Sequence, residues 1–141
     1  MNPVSKPASS WTLTFCGVWL MALGFYFVAL RPPLLPEDQR FLGATVGQLE
    51  TSVPDLGRWL RHVFTVMGGF MAAAGVLTAF MARVVIPQRL PGTGWAIGLA
   101  GALTVALMSA MNFALASDFR WLLLIPAAGW LAGFVLYVLR R

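Results

Sequence analysis

Charged side chains are scarce in this chain of 141 amino acids, where Asp, Glu, Lys and Arg together make up 11% of the residues. A soluble domain usually carries about 25% charged residues, so this sequence has too little polar surface for an independent aqueous domain. Four long apolar runs contain no carboxylate at all. Because a proton-coupled transporter needs an ionisable group near the middle of the membrane, the sequence argues against the small four-span multidrug exporters.

Cysteine and histidine each occur once, as Cys16 and His62. One cysteine excludes an internal disulfide, and a lone thiol within an apolar run usually acts as a small apolar side chain. One histidine excludes a bis-histidine haem site, and no set of Cys, His and carboxylate residues has the spacing of a metal site. Ser109, Cys16 and His62 form no recognisable nucleophile–base pair. We therefore predict no catalytic residue and no metal, and a non-enzymatic role is favoured.

Apolar residues make up 59% of the chain, and the mean hydropathy is +0.77. A helix needs about 20 apolar residues to cross a bilayer core of about 30 Å. Four runs meet that requirement, and the first is too long for the apolar part of a cleaved signal peptide. We predict an all-α integral membrane protein, a bundle of four transmembrane helices forming one membrane domain over residues 1–141. The predicted spans are 11–30, 59–82, 94–116 and 120–139.

The net charge of +5 does not indicate a nucleic-acid partner, because the ten basic residues are scattered among the connections and chain ends. The connections and chain ends on one side of the predicted bundle contain five basic residues and no acidic residue. Those on the other side contain five arginines and all five acidic residues. Lys and Arg that flank spans are retained in the cytoplasm, so we predict that both termini are cytoplasmic. A composition rich in Arg, Ala and Gly is typical of GC-rich bacterial genomes and suggests the bacterial inner membrane. The unbalanced basic residues are Lys6, Arg83, Arg89, Arg140 and Arg141.

The first connection, residues 31–60, is the longest segment outside the predicted spans. Pro36, Glu37 and Asp38 place a proline and two acids where the N-terminus of a helix favours them. We predict one short amphipathic helix at the membrane interface, and the alternative is an irregular loop. A second helix-start pattern at 52–55 leads into the second span.

Small residues recur on one face of several predicted spans. A helix face lined by small residues lets another helix in the bilayer approach closely. Because short connections make neighbouring spans antiparallel, we predict that the second and third spans meet along Gly75 and Ala102. The predicted helix-packing residues are Gly68, Ala72, Gly75, Ala79, Gly98, Ala102, Ala106, Gly129 and Gly133.

A few polar residues fall in the outer third of the predicted spans or at their rim. Intramembrane polar residues are costly and often functional, so an outward-facing pocket with a cationic rim could hold the acidic or carbonyl head of a lipid or quinone. The alternative is that these residues anchor the spans at the interface. The candidate ligand-binding residues are Tyr26, Arg58, Arg61, His62 and Asn112.

The segment 58–77, RWLRHVFTVMGGFMAAAGVL, resembles the start of the second span in small DoxX-like bacterial membrane proteins. In those proteins a polar turn leads into a glycine-rich helix, within about the same length and with four spans. An acidic residue often found before the glycine pair is missing here, where Val66 and Met67 stand. Some relatives in that family are subunits of quinone-linked oxidoreductases, so the resemblance implies an accessory role and assigns no active site.

Two functions remain as predictions. The first is an accessory or structural subunit, or an assembly partner, of a larger membrane complex, because the chain is small, lacks catalytic motifs and exposes large apolar faces. Its partners would be membrane lipids and other membrane subunits or further copies of itself. The alternative is a lipid- or quinone-binding membrane protein that uses the outer pocket.

Overall fold

The computed structural model describes residues 7–139, so the basic residues Lys6, Arg140 and Arg141 lie outside the described part. Within it the chain forms six helices and no strand, and four of the helices are long and apolar enough to cross a membrane. The predicted all-α, four-helix bundle of a multi-pass membrane protein is confirmed. The helices are α1 (Ala8–Ala29), α2 (Pro36–Leu42), α3 (Val46–Ser52), α4 (Leu56–Gln88), α5 (Thr93–Ala114) and α6 (Arg120–Leu139).

The two ends of the bundle differ in the connections that they carry. We call the end that holds residues 30–55 and the turn 115–119 the long-connection end. The opposite end, which holds residue 7, the turn 89–92 and residue 139, is the terminal end. Helix α4 extends six residues beyond the predicted boundary at 82, through a π-helical turn at Met81–Val85 that precedes Pro87. In a π turn the backbone hydrogen bonds run to the residue five positions on, and here the helix continues past Pro87, which lies beyond the predicted boundary at 82.

The membrane helices are arranged in the order α4, α1, α6, α5, with α1 and α6 in the middle. Among the described residues, no extended contact joins α4 to α5. The predicted meeting of the second and third spans along Gly75 and Ala102 is therefore wrong. Near the terminal end, Ile86 of α4 and Ile97 of α5 belong to the same buried core.

Glycines determine the close contact between α1 and α4. A Cβ at Gly75 would lie 2.6 Å from the carbonyl oxygen of Gly17, and one at Gly68 would lie 2.6 Å from that of Gly24. Ala72 and Ala79 pack beside the same α1 glycines. The face of α4 that carries the predicted small residues thus packs against α1. Helix α1 has two glycines seven residues apart, the same spacing as Gly68 and Gly75, so the two helices can approach closely.

Helix α6 packs against α1 on one side and α5 on the other. Gly129 faces the Cys16 sulfur, and Gly133 faces the Leu13 side chain. The Cys16 thiol donates to the Pro126 carbonyl at 3.5 Å. On the other side, the indole nitrogen of Trp130 donates to the Ile97 carbonyl of α5 at 2.9 Å.

The small residues of α5 do not form the predicted contact with α4. Gly98 lies within van der Waals distance of Phe134 in α6. Ala102, Ala106, Ala110 and Ala114 are exposed on the surface of the bundle. This stripe is therefore unpartnered among the described residues.

The first connection contains two short helices where one was predicted. Helix α2 begins at Pro36, as the Pro-Glu-Asp pattern indicated. Helix α3 was missed, although Thr45 and Gln48 form a capping box in which each side chain bonds the backbone of the other residue. That four-residue pattern is a sequence signal for a helix start.

Candidate functional site

A cavity of about 400 Å³ lies at the long-connection end, between α1, α5 and α6. We call it the polar chamber, because charged and hydrogen-bonding side chains line its outer part. Its size falls within the range of small-molecule sites. Helix α2 closes it from outside with Glu37 and Asp38, whereas apolar side chains such as Leu123 line its inner part. Its further polar lining residues are Tyr26, Arg31, Asn112 and Ser117.

Polar contacts hold α2 over the chamber. The Ser117 hydroxyl donates to Glu37 Oε1 at 3.1 Å, and Arg40 pairs with Asp118 at 2.8 Å. Both partners lie in the turn between α5 and α6. The exposed Arg40–Asp118 pair contributes little by itself, so the buried Glu37–Ser117 contact is the stronger attachment of α2.

Arg31 joins the end of α1 to α2 and α4. One of its terminal nitrogens lies 3.4 Å from Asp38 Oδ2, and the guanidinium lies 3.6 Å from the centre of the Phe64 ring. Its side chain is only 9% exposed. A desolvated cation over an aromatic face is worth up to about 2 kcal/mol. Arg31 therefore lines the chamber and also connects the end of α1 with α2 and α4.

Glu37 is the most buried charged residue at this end, at 6% exposure. Within residues 7–139, no Lys, Arg or His lies within ion-pair distance of its carboxylate. The single hydrogen bond from Ser117 uses one carboxylate oxygen. A buried carboxylate favours paired charge or several hydrogen bonds, and Glu37 is the chamber's carboxylate without a cation partner among the described residues.

A second, larger cavity of about 1140 Å³ separates α4 from α5. We call it the apolar cleft, since Val, Met, Phe and Leu side chains form most of its walls, and α1 contributes Leu20 and Phe27 to its lining. The cleft and the polar chamber lie side by side, and six residues line both. The shared residues are Phe27, Arg31, Asp38, Met108, Asn112 and Leu115.

The structure brings together only part of the predicted ligand-binding set. Tyr26 and Asn112 both line the polar chamber, and His62 lines the cleft together with Asn112. Arg58 and Arg61 are exposed and line neither cavity. Arg58 instead pairs with Asp55 on the surface.

Asn112 occupies the junction of the two cavities. Its amide nitrogen donates to the Met108 carbonyl one turn back in the same helix, at 2.9 Å. That bond leaves the side-chain oxygen, an acceptor, for a ligand in the chamber.

Sequence reasoning missed three charged residues of the chamber, Arg31, Glu37 and Asp38. The signal was present, because these residues flank the first span and the start of α2, but the acids were interpreted only as helix-start residues. Nothing in the local pattern indicates that α2 folds back onto the turn containing Ser117.

The described residues contain no group of three or more His, Cys, Asp and Glu side chains that could hold a metal ion. Comparison of the chain with protein-family models, with curated proteins and with solved structures finds no match. The site geometry is therefore the basis for a functional assignment.

Proposed function

We propose that this protein binds an amphiphile, with the polar head in the polar chamber and the apolar tail in the apolar cleft. The observation that carries the proposal is that the two cavities lie side by side and share lining residues such as Asn112 and Met108. A lipid or a quinone has this division into a compact polar head and a long apolar tail.

The lining of each cavity matches one part of such a ligand. The head would meet the Tyr26 hydroxyl, the Asn112 side chain and the charged groups of α2, which are few and convergent, as in ligand sites generally. The tail would lie along the Met, Phe and Leu side chains between α4 and α5, replacing bilayer lipid in the cleft. Burying a methylene group is worth about 0.8 kcal/mol when it leaves water, so the tail holds the ligand in the membrane while the head sets its position.

Filling the chamber tests this proposal. Leu123 lines the chamber, whereas the next residue, Leu124, is exposed and lines neither cavity. We expect wild-type protein purified in a mild maltoside detergent to retain an amphiphile that solvent extraction and mass spectrometry identify. Leu123→Trp should lose it and Leu124→Trp should keep it. Equal retention by both variants would contradict the proposal.

A second candidate function is that of an accessory subunit in a larger membrane complex. It is supported by the exposed stripe of Ala102, Ala106, Ala110 and Ala114, since small residues let another membrane helix approach closely. The resemblance to DoxX-like proteins points in the same direction. Native mass measurement after gentle solubilisation tests it. A partner should be released by Ala106→Trp but not by Leu131→Trp, and a wild-type monomer without any bound protein would argue against it.

We further propose that the protein resides in the bacterial inner membrane with its terminal end in the cytoplasm. The support is the distribution of charge: the described acidic residues all belong to the long-connection end, while Arg83 and Arg89 lie toward the terminal end. The head of the bound amphiphile would then lie in the outer leaflet.

A further inference from the structure

We propose that the polar chamber selects an amphiphile whose head carries an ammonium group. This inference rests on the proposed amphiphile binding and narrows the ligand class. The charged groups that line the chamber are Arg31, Glu37 and Asp38, and their formal sum is one negative charge. The expectation of an acidic or carbonyl head depended on Arg58 and Arg61, which line neither cavity.

The negative charge of the chamber is concentrated at Glu37. Asp38 is compensated, because its Oδ2 accepts from Arg31 at 3.4 Å and from the Leu35 backbone amide at 2.8 Å. Glu37 is only 6% exposed and lacks a cation partner in the described part of the chain. A ligand ammonium would supply the paired charge that a buried carboxylate requires.

The other groups in the chamber suit an ammonium head as well. An ammonium is a donor without lone pairs, so it needs acceptors around it. The Asn112 side-chain oxygen and the Tyr26 hydroxyl oxygen are such acceptors, and both residues line the chamber. A carbonyl head, as in a quinone, needs donors, whereas the Glu37 carboxylate in the chamber is an acceptor.

The same ammonium chemistry could come from a zwitterionic phospholipid or from a lipophilic amine without phosphate. Phosphatidylethanolamine and its N-acetyl derivative form a matched pair of probes, because acetylation removes the ammonium and leaves the phosphate and tails. Hexadecylammonium provides the ammonium and a tail without phosphate.

The test measures binding of these three probes to the delipidated full-length protein in neutral maltoside micelles by native mass spectrometry. Wild type should prefer phosphatidylethanolamine over the N-acetyl lipid by about tenfold, the value of one charge-assisted hydrogen bond. Glu37→Gln keeps an acceptor for Ser117 and removes the charge, so it should abolish the preference without weakening N-acetyl lipid binding. The control Glu50→Gln changes an exposed carboxylate on α3 and should behave as wild type.

The outcomes separate the two proposals. The ammonium assignment is overturned, and amphiphile binding is left intact, if a preference for phosphatidylethanolamine survives in Glu37→Gln. The same holds if wild type binds the two lipids equally and Glu37→Gln leaves hexadecylammonium binding unchanged. Failure of all three probes to bind wild type more strongly than Leu123→Trp overturns both. If Ser117→Ala loses the preference as completely as Glu37→Gln does, Glu37 is only a tether for α2 and the assignment is wrong. Glu37-dependent binding of hexadecylammonium without a preference between the two lipids identifies a lipophilic amine as ligand. A Glu37-dependent preference for phosphatidylethanolamine over the N-acetyl lipid identifies the phospholipid.

Discussion

Gly68 lies so close to Gly24 that a Cβ at Gly68 would stand 2.6 Å from the Gly24 carbonyl oxygen. The next residue, Gly69, has nothing within 4 Å of the corresponding position. Two adjacent glycines in one helix therefore have opposite environments, one at the α1–α4 interface and the other on the surface of the bundle.

We predict that Gly68→Ala destabilises the bundle by about 1–3 kcal/mol, because a methyl group there must push α1 and α4 apart. Gly69→Ala should not destabilise the bundle and should stabilise it by up to about 1 kcal/mol, since its side chain meets no neighbour and alanine is the better helix former. Unfolding followed by circular dichroism in detergent compares the two variants. A larger loss for Gly69→Ala would contradict the assigned interface.

The order of the helices yields a second prediction. Gly75 faces Gly17 and Met21 of α1, whereas Ala102 is exposed on α5. Gly75→Leu should therefore destabilise the bundle by about 1–3 kcal/mol or more, and Ala102→Leu should have almost no effect. If the second and third spans met as the sequence suggested, both variants would lose stability together in the same detergent unfolding experiment.

The number and type of the helices could be predicted from the sequence because uncharged runs of about 20 residues have one stable arrangement in a bilayer. The pairing of the helices could not. A stripe of small residues identifies a face that can pack closely, and both α4 and α5 carry one, but the stripe does not identify its partner. The glycines at 17 and 24, with the same spacing as those at 68 and 75, were the signal that distinguishes α1 from α5.

The candidate site was predictable to a smaller extent. Tyr26 and Asn112 stood out because polar groups within spans are rare, and both line the polar chamber. Glu37 did not stand out, because its place in the first turn of α2 already explained it. Its burial depends on a hydrogen bond to Ser117, 80 residues away in the sequence, and such long-range contacts leave no local pattern.

Reporter fusions test the proposed orientation of the two ends. Fusions at residues 45 and 118 lie at the long-connection end, and fusions at 88 and 141 follow α4 and the last span. We expect alkaline phosphatase to be active at the first two sites and a cytoplasm-active fluorescent protein to fluoresce at the other two, because unbalanced basic residues are retained in the cytoplasm. Phosphatase activity at residue 88 or 141 would reverse the orientation.

The hydrogen bond between α5 and α6 supports a fourth prediction. Trp130 is 5% exposed and donates to the Ile97 carbonyl, whereas Trp95 is 80% exposed. Trp130→Phe should cost about 1 kcal/mol from the lost hydrogen bond, with a further loss where the smaller ring leaves a void. Trp95→Phe, the matched control, should be nearly neutral in the same unfolding measurement. Equal stability of the two variants would show that the bond does not contribute to helix packing.

Arg31 is expected to determine how firmly α2 closes the polar chamber. Arg31→Met keeps an unbranched apolar stem but removes the guanidinium that lies 3.6 Å from the Phe64 ring centre and 3.4 Å from Asp38. The lost charge-assisted bond to Asp38 of α2 is worth about 1.5 kcal/mol, so backbone amides of α2 should exchange with deuterium about tenfold faster, whereas those of α1 stay protected. Arg58→Met provides the control, since Arg58 and Asp55 are 78% and 80% exposed and such pairs contribute little. Unchanged exchange in α2 after Arg31→Met would mean that the Glu37–Ser117 and Arg40–Asp118 contacts keep the chamber closed without Arg31.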